Sequence, residues 1–282
     1  TAGAENEAQE TLPLGSEGND ELVGTEGSDT LYGGEGNDTL AGAGGDDTLH
    51  GQDDQDVLDG GAGNDALYGH NDDDTLQGCA GHDTLHGGMQ NDVLDGGAGN
   101  DAVHGGLDDD TLAGGTGQDS LFGGHGDDVV NGVVDDETED GVQDTDEGDY
   151  LNGGAGDDTI VYTEGADSID GGVGNDWLDL SGEASAVAIN LAANYASVTS
   201  ITGVENLILS DGGHDVVVDD NANTIIGGSG NDTVFLRGGN DSFEAGAGND
   251  RVDLGAGNDT ADGGDGLDIL FIGDSNDTLT SY

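Results

Sequence analysis

The stretch DVLDGGAGNDA occurs twice, at Asp56–Ala66 and at Asp92–Ala102, 36 residues apart. Each copy holds four glycines or alanines in a row, three Asp and few residues able to fill a core. Working outward from either copy, the Asp of GND recurs every nine residues: Asp20, Asp29, Asp38, Asp47, Asp56, Asp65, Asp74, Asp83, Asp92, Asp101, Asp110, Asp119 and Asp128. Two residues after each stands an aliphatic side chain, Leu in eleven cases and Val103 or Val130 in the others. The register returns at Asp149, Asp158, Asp167 and Asp176. After a longer gap Asp215 leads to Asn223, Asp232, Asp241, Asp250, Asp259, Asp268 and Asp277. The unit is G-G-x-G-x-D-x-U-x with U aliphatic, so the 36-residue recurrence is four units.

Composition sets a harsh boundary. Leu, Ile, Val and Phe number 57 of 282, and the formal charge is −61, from 63 acidic residues against Arg237 and Arg251. Such a chain is disordered unless a cation belongs to the fold. Nucleic acid is excluded as a direct partner, because nothing neutralises phosphates, and an anionic membrane needs a bridging ion. No apolar run reaches transmembrane length, so no membrane insertion is expected. The single Cys79 excludes an intramolecular disulfide framework and a multi-cysteine metal site. The start at Thr1 reads as that of a processed fragment, without a classical export signal.

Through GGEGNDTL, GGAGNDAL and GGSGNDTV, the chain resembles the repeats-in-toxin (RTX, hemolysin-type) calcium-binding nonapeptide repeat family over most of Gly15–Leu279. The resemblance implies an all-β, right-handed parallel β-roll or β-helix solenoid with two nonapeptides per turn and calcium between stacked loops. The residues suit that fold. Positions 7–9 make a three-residue strand with U inward, and the glycine-rich six make a turn. Rungs stack about 4.8 Å apart, and calcium takes oxygens at about 2.3–2.6 Å, so one ion spans two rungs. Each register Asp named above, Asp215 excepted, is expected to give a carboxylate, with loop carbonyls supplying the rest. An all-oxygen donor set argues against zinc or copper. Counting neighbours in the same column gives an upper bound of about 18 Ca2+. The metal-free chain is expected to be disordered and calcium to fold it.

Two repeats per turn split the first run into two loop columns. One (Asp29, Asp47, Asp65, Asp83, Asp101, Asp119) keeps glycine at position 4 throughout: Gly27, Gly45, Gly63, Gly81, Gly99 and Gly117. The other replaces it in its middle with Asp54, Asp72, Gln90 and Asp108, so its calcium occupancy is expected to be less regular. Asp tolerates the left-handed conformation that this position demands; Gln90 is less comfortable. Position 9 carries Tyr32, His50, Tyr68, His86, His104 and Phe122 as an outward stripe. It is either a ladder that stabilises exposed strands or a contact surface for a protein, a glycan or a second copy. His86 and His104, on adjacent turns, offer two ligands for a soft metal, which makes a weak site. Position 7 alternates Thr39, Val57, Thr75, Val93, Thr111 and Val129, which breaks the regular array that ice binding needs.

The chain is divided into an acidic lead-in at 1–14, a repeat block at 15–131, an acidic insertion at 132–148, a second block at 149–178, a strand-rich segment at 179–213 that widens the roll, and a third block with a cap at 214–282. DTDEGD at Asp144–Asp149 resembles an incomplete calcium loop. No His-Glu-x-x-His, Gly-x-Ser-x-Gly or P-loop is present, so no enzyme is expected. The leading reading is a calcium-folded module of a secreted or surface bacterial protein, with type I export implied by the family resemblance. The alternatives are the calcium-dependent part of a secreted hydrolase or sugar-modifying enzyme whose catalytic part lies elsewhere, and an adhesion or ice-binding module.

Overall fold

The computed structural model describes residues 14–132, 149–162, 168–182, 186–193, 195–196, 199–273 and 276–280. The lead-in at 1–13, nearly all of the acidic insertion, most of DTDEGD and Asp167 lie outside the described residues. The chain forms two compact units that divide between Ser120 and Leu121.

In the first unit every register Asp is followed by a strand, and each strand pairs in parallel with the one 18 residues further on. Val57–Ala62 pairs with Thr75–Ala80, which pairs with Val93–Ala98. On the other side Thr48–Asp53 pairs with Ala66–His70, which pairs with Thr84–Met89. A turn is therefore two nonapeptides, and this unit is a parallel β-roll. Alternation along a strand sends positions 6, 8 and 1 inward. Leu40, Leu49, Leu58, Leu67, Leu76 and Leu85 are fully buried between the two sheets. The inner strands run five or six residues rather than the expected three, because positions 1 to 3 keep the register, as in Gly61↔Cys79 and Ala62↔Ala80. The loop proper is correspondingly tighter.

That tightness falls on positions 2 and 4, both of which have positive φ. Gly99 has φ of 139°, and a Cβ there would stand 1.5 Å from the Gly81 carbonyl oxygen of the previous turn. At position 2, Cys79 has φ of 75° between Gly61 and Gly97. Gly99→Ala is expected to cost about 3 kcal/mol or more, whereas Cys79→Gly stabilises by about 1 kcal/mol. Chemical denaturation in excess calcium measures both. Equal and small changes would contradict this account of the loops.

The second unit resumes the register. Thr159–Val161 pairs with Val129–Asn131 at a separation of 30 residues, so one turn absorbs the insertion. Trp177–Asp179, Asn206–Ile208, Thr224–Ile226 and Ser242–Glu244 then stack in parallel, burying Leu178, Leu207, Ile225 and Phe243. The opposite sheet departs from parallel order. Tyr195–Ala196 pairs antiparallel with both Ala188–Asn190 and Thr199–Thr202, adding strands between Ser168–Val173 and Asp215–Val217. Parallel order returns with Thr233–Phe235 and Arg251–Asp253.

Candidate calcium sites

The register Asp side chains turn inward at the point where each loop closes. From Asp29 to Asp128 all twelve are buried, as are Asp149, Asp158, Asp176, Asp232, Asp241, Asp250 and Asp259. Asp20, Asp268 and Asp277, towards the two ends of the columns, are half-buried. One carboxylate oxygen does a regular job. Oδ1 of Asp56 accepts the Asp38 N–H, Oδ1 of Asp74 accepts the Asp56 N–H, and Oδ1 of Asp92 accepts the Asp74 N–H, at 2.7–2.8 Å. The glycine column repeats this through Asp47, Asp65, Asp83, Asp101 and Asp119 at 2.7–2.8 Å. The second unit does the same through Asp158 and Asp176, and again from Asp232 and Asp241 onward.

The second oxygen is left without a hydrogen-bond partner. Oδ2 is buried and unpaired at Asp38, Asp47, Asp56, Asp65, Asp74, Asp83, Asp92, Asp101, Asp110, Asp119 and Asp128. The same holds at Asp158, Asp176, Asp232, Asp241, Asp250, Asp259 and Asp277. Folded proteins leave only a few such groups per hundred residues, and a buried carboxylate is costly unless paired or bound to a metal. From Asp38 to Asp101 each such oxygen points across its loop at the position-1 glycine: a Cβ on Gly51, Gly69 or Gly87 would lie 2.3 Å from Oδ2 of Asp56, Asp74 or Asp92. That glycine is therefore what leaves room for the carboxylate. At the first turn the pattern differs, because Ser16 and Thr25 donate N–H and hydroxyl to Oδ2 of Asp20 and Asp29.

These residues fit calcium. The donors are hard oxygens, one carboxylate per rung, repeated at rung spacing in each column. Among the described residues no three His, Cys, Asp or Glu side chains converge as a metal centre; here single carboxylates from successive rungs would share an ion with backbone carbonyls. In the first unit Asp38, Asp56, Asp74, Asp92 and Asp110 would serve one column and Asp47, Asp65, Asp83, Asp101 and Asp119 the other. Without a cation the carboxylates resist ionisation. Burial pushes Asp74 up to about 8, Asp56 and Asp92 up to about 7, and Asp47 and Asp83 up to about 6, against the backbone hydrogen bond that each accepts. Neighbouring carboxylates add to this, including Asp54 at Asp56 and Asp72 at Asp74.

The two columns of the first unit differ in backbone as well as in sequence. In the glycine column, Gly63, Gly81 and Gly99 donate N–H to the carbonyls of Ala80, Ala98 and Thr116 at 2.8 Å. In the other, side chains accept instead: Gly36 donates to Asp54 at 3.1 Å, and Asp54, Asp72 and Gln90 donate to Asp72, Gln90 and Asp108 at 3.3 Å. Gln90 keeps the left-handed turn, with φ of 69°, and its amide donates to Asp72 Oδ1 at 2.9 Å.

Several slot residues escape a search for Asp, although Glu205, His214, Asn223 and Asp232 follow one another at nine-residue spacing. Glu205 accepts the Asp176 N–H at 3.0 Å, where a register Asp would stand. Asn223 donates its N–H to Asp241 at 2.8 Å and is buried in the slot itself. His214 rather than Asp215 fills the next one: it is buried and donates its N–H to Asp232 at 2.6 Å, while Asp215 is exposed. His214 also lies 2.9 Å from Ser210 Oγ through Nε2, while Nδ1 accepts the Val187 N–H at 3.1 Å. Nδ1 therefore carries a lone pair, and the proton of the neutral ring sits on Nε2 and faces the hydroxyl. That tautomer cannot act as a base toward Ser210. At Cys79, burial and then the hydrogen bond to Asp59 push the thiol up to about 11, which disfavours the thiolate.

No curated protein sequence matches the chain. The family pattern described as the RTX calcium-binding nonapeptide repeat matches residues 14–49, 32–67, 42–76, 68–103, 104–135, 152–183, 217–252 and 244–279. These matches cover most of the chain and coincide with the loops whose aspartates present the unpaired oxygens, so the chain belongs to the RTX calcium-binding nonapeptide repeat family.

Proposed function

We propose that the chain is a non-enzymatic structural module, part of a secreted or surface bacterial protein, that folds outside the cell on binding many calcium ions. The observation that carries this reading is the row of buried Asp Oδ2 atoms, repeated in loop after loop from Asp38 onward, with no hydrogen-bond partner in the protein. Calcium supplies the positive charge that lets these carboxylates ionise together inside the roll. In a calcium-poor compartment the anionic chain stays extended, and on export its folding would favour one-way passage and stabilise attached domains. The Asp residues of the nonapeptide register are the proposed ligands, Asp167 included, and the blocks at 15–131, 149–178 and 214–282 the proposed calcium-binding segments. The glycine column is proposed to fill completely and the column with Asp54, Asp72, Gln90 and Asp108 less regularly in its middle.

Equilibrium dialysis against millimolar calcium, followed by a metal count per chain, tests the reading. Many ions per chain, not exceeding about 18, are expected, and Asp74→Asn with Asp92→Asn should lower the count. Zero or one ion per chain would overturn the proposal.

A further inference from the structure

One contact on the outer face of the first unit is not required by the repeat. His70 stands at loop position 2, where Gly34, Gly88 and Gly106 occupy equivalent places in the same column, and it takes the left-handed conformation at φ of 86°. Ala43, Gln52 and Cys79 share this conformation at position 2, so the conformation belongs to the loop and what sets His70 apart is the contact its ring makes. Its Nε2 lies 3.0 Å from Nδ1 of His50, one turn earlier. The ring centroids are 5.3 Å apart and the planes 24° apart. The centroids are thus about 2.3 Å further apart than the nitrogens, so the rings meet edge to edge with both nitrogens in the gap.

The pair suggested by sequence, His86 and His104, is arranged differently. Those rings lie face to face at 4.7 Å and 11°, so their lone pairs run side by side and do not converge. Tyr32, His50, Tyr68 and His86 stack in the same way at 4.7–5.2 Å, which covers the ring faces that a sugar would need.

Two imidazole nitrogens bound to one ion at about 2.0–2.1 Å stand about 2.9 Å apart at a right angle and about 3.4 Å apart at the tetrahedral angle. The observed 3.0 Å, spanned by a proton in the metal-free pair, already lies close to the right-angle bite, and for a nitrogen pair Cu(II) binds more tightly than Ni(II) or Zn(II). Burial, and then the neighbouring His70, hold the His50 imidazole below its ordinary range, keeping it neutral.

We propose that His50 and His70 form a two-nitrogen clamp for a divalent transition ion, Cu(II) before Ni(II), separate from the oxygen-lined calcium columns. On binding, the rings tilt and the proton between them moves through solvent to the far nitrogen of its own ring. Both facing lone pairs then reach the metal, and water completes the coordination.

The test is a Cu(II) titration of the full chain in excess calcium, read by electron paramagnetic resonance. The first equivalent is expected to show coupling to two nitrogens. His70→Gly, which restores the glycine of neighbouring turns and so spares the fold, should weaken binding at least tenfold, and His50→Gln should do the same. His104→Gln should leave it unchanged. A first equivalent with one nitrogen or none, or equal affinity in His70→Gly, would overturn the clamp.

Discussion

Chelating calcium with EDTA at neutral pH is expected to abolish the β-sheet circular dichroism of this chain and to raise its radius of gyration to about 60 Å, the size of an unfolded polymer of this length. Each nonapeptide buries one large aliphatic side chain, such as Leu58 or Leu67, beside a buried Asp. Oδ1 of that Asp is satisfied by the neighbouring turn, but Oδ2 faces no donor. Withdrawing the cation leaves a column of carboxylates in a poorly solvated interior, within a chain of formal charge −61. Protonation or unfolding relieves that column, and at neutral pH unfolding is the cheaper route. Small-angle scattering and dichroism on one sample follow the change, and adding calcium back should reverse it.

Acidifying the metal-free chain is expected to return part of the lost structure. In the folded roll burial raises the carboxyls of Asp47 and Asp83 to about 6, those of Asp56, Asp92, Asp158 and Asp241 to about 7 and that of Asp74 to about 8, from 3.8. The folded state therefore holds these protons more tightly than the unfolded chain. Their contribution to stability is fully present below about pH 4 and is lost as pH rises through 6 to 8. Calcium binding runs the opposite way, because protons compete for the same oxygens, so its midpoint should move to higher calcium as pH falls below about 7. Dichroism of the EDTA-treated protein between pH 3.5 and 8 measures the first effect. A β signal that grows with pH in the absence of metal would contradict the account.

Much of this was legible in the sequence because the repeat is local. A nine-residue period sets Leu58, Asp65 and Gly60 in one loop and its strands, and an 18-residue turn then stacks each on its equivalent. The contrast between the columns was readable from Asp54, Asp72, Gln90 and Asp108 alone. What escaped depends on space rather than spacing. The six-residue strands follow from how far neighbouring turns stay paired, as at Ala62↔Ala80. Glu205 and His214 stand in nine-residue phase with Asn223 and Asp232 but are not Asp, and the 29 residues from Asp176 to Glu205, across an antiparallel excursion, break the phase with the block before. His70 meets His50 because a left-handed loop position swings its ring back over the previous turn, which a stripe drawn at position 9 does not contain.

The central claim is that the unpaired Asp oxygens are the calcium ligands, and an anomalous difference map from crystals grown in calcium tests it most directly. Peaks are expected between successive turns along both columns of the first unit, each within about 2.3–2.6 Å of an Asp Oδ2. The peaks should be strongest in the column of Gly63, Gly81 and Gly99. A folded roll with no peak beside Asp65, Asp83 or Asp101 would contradict it.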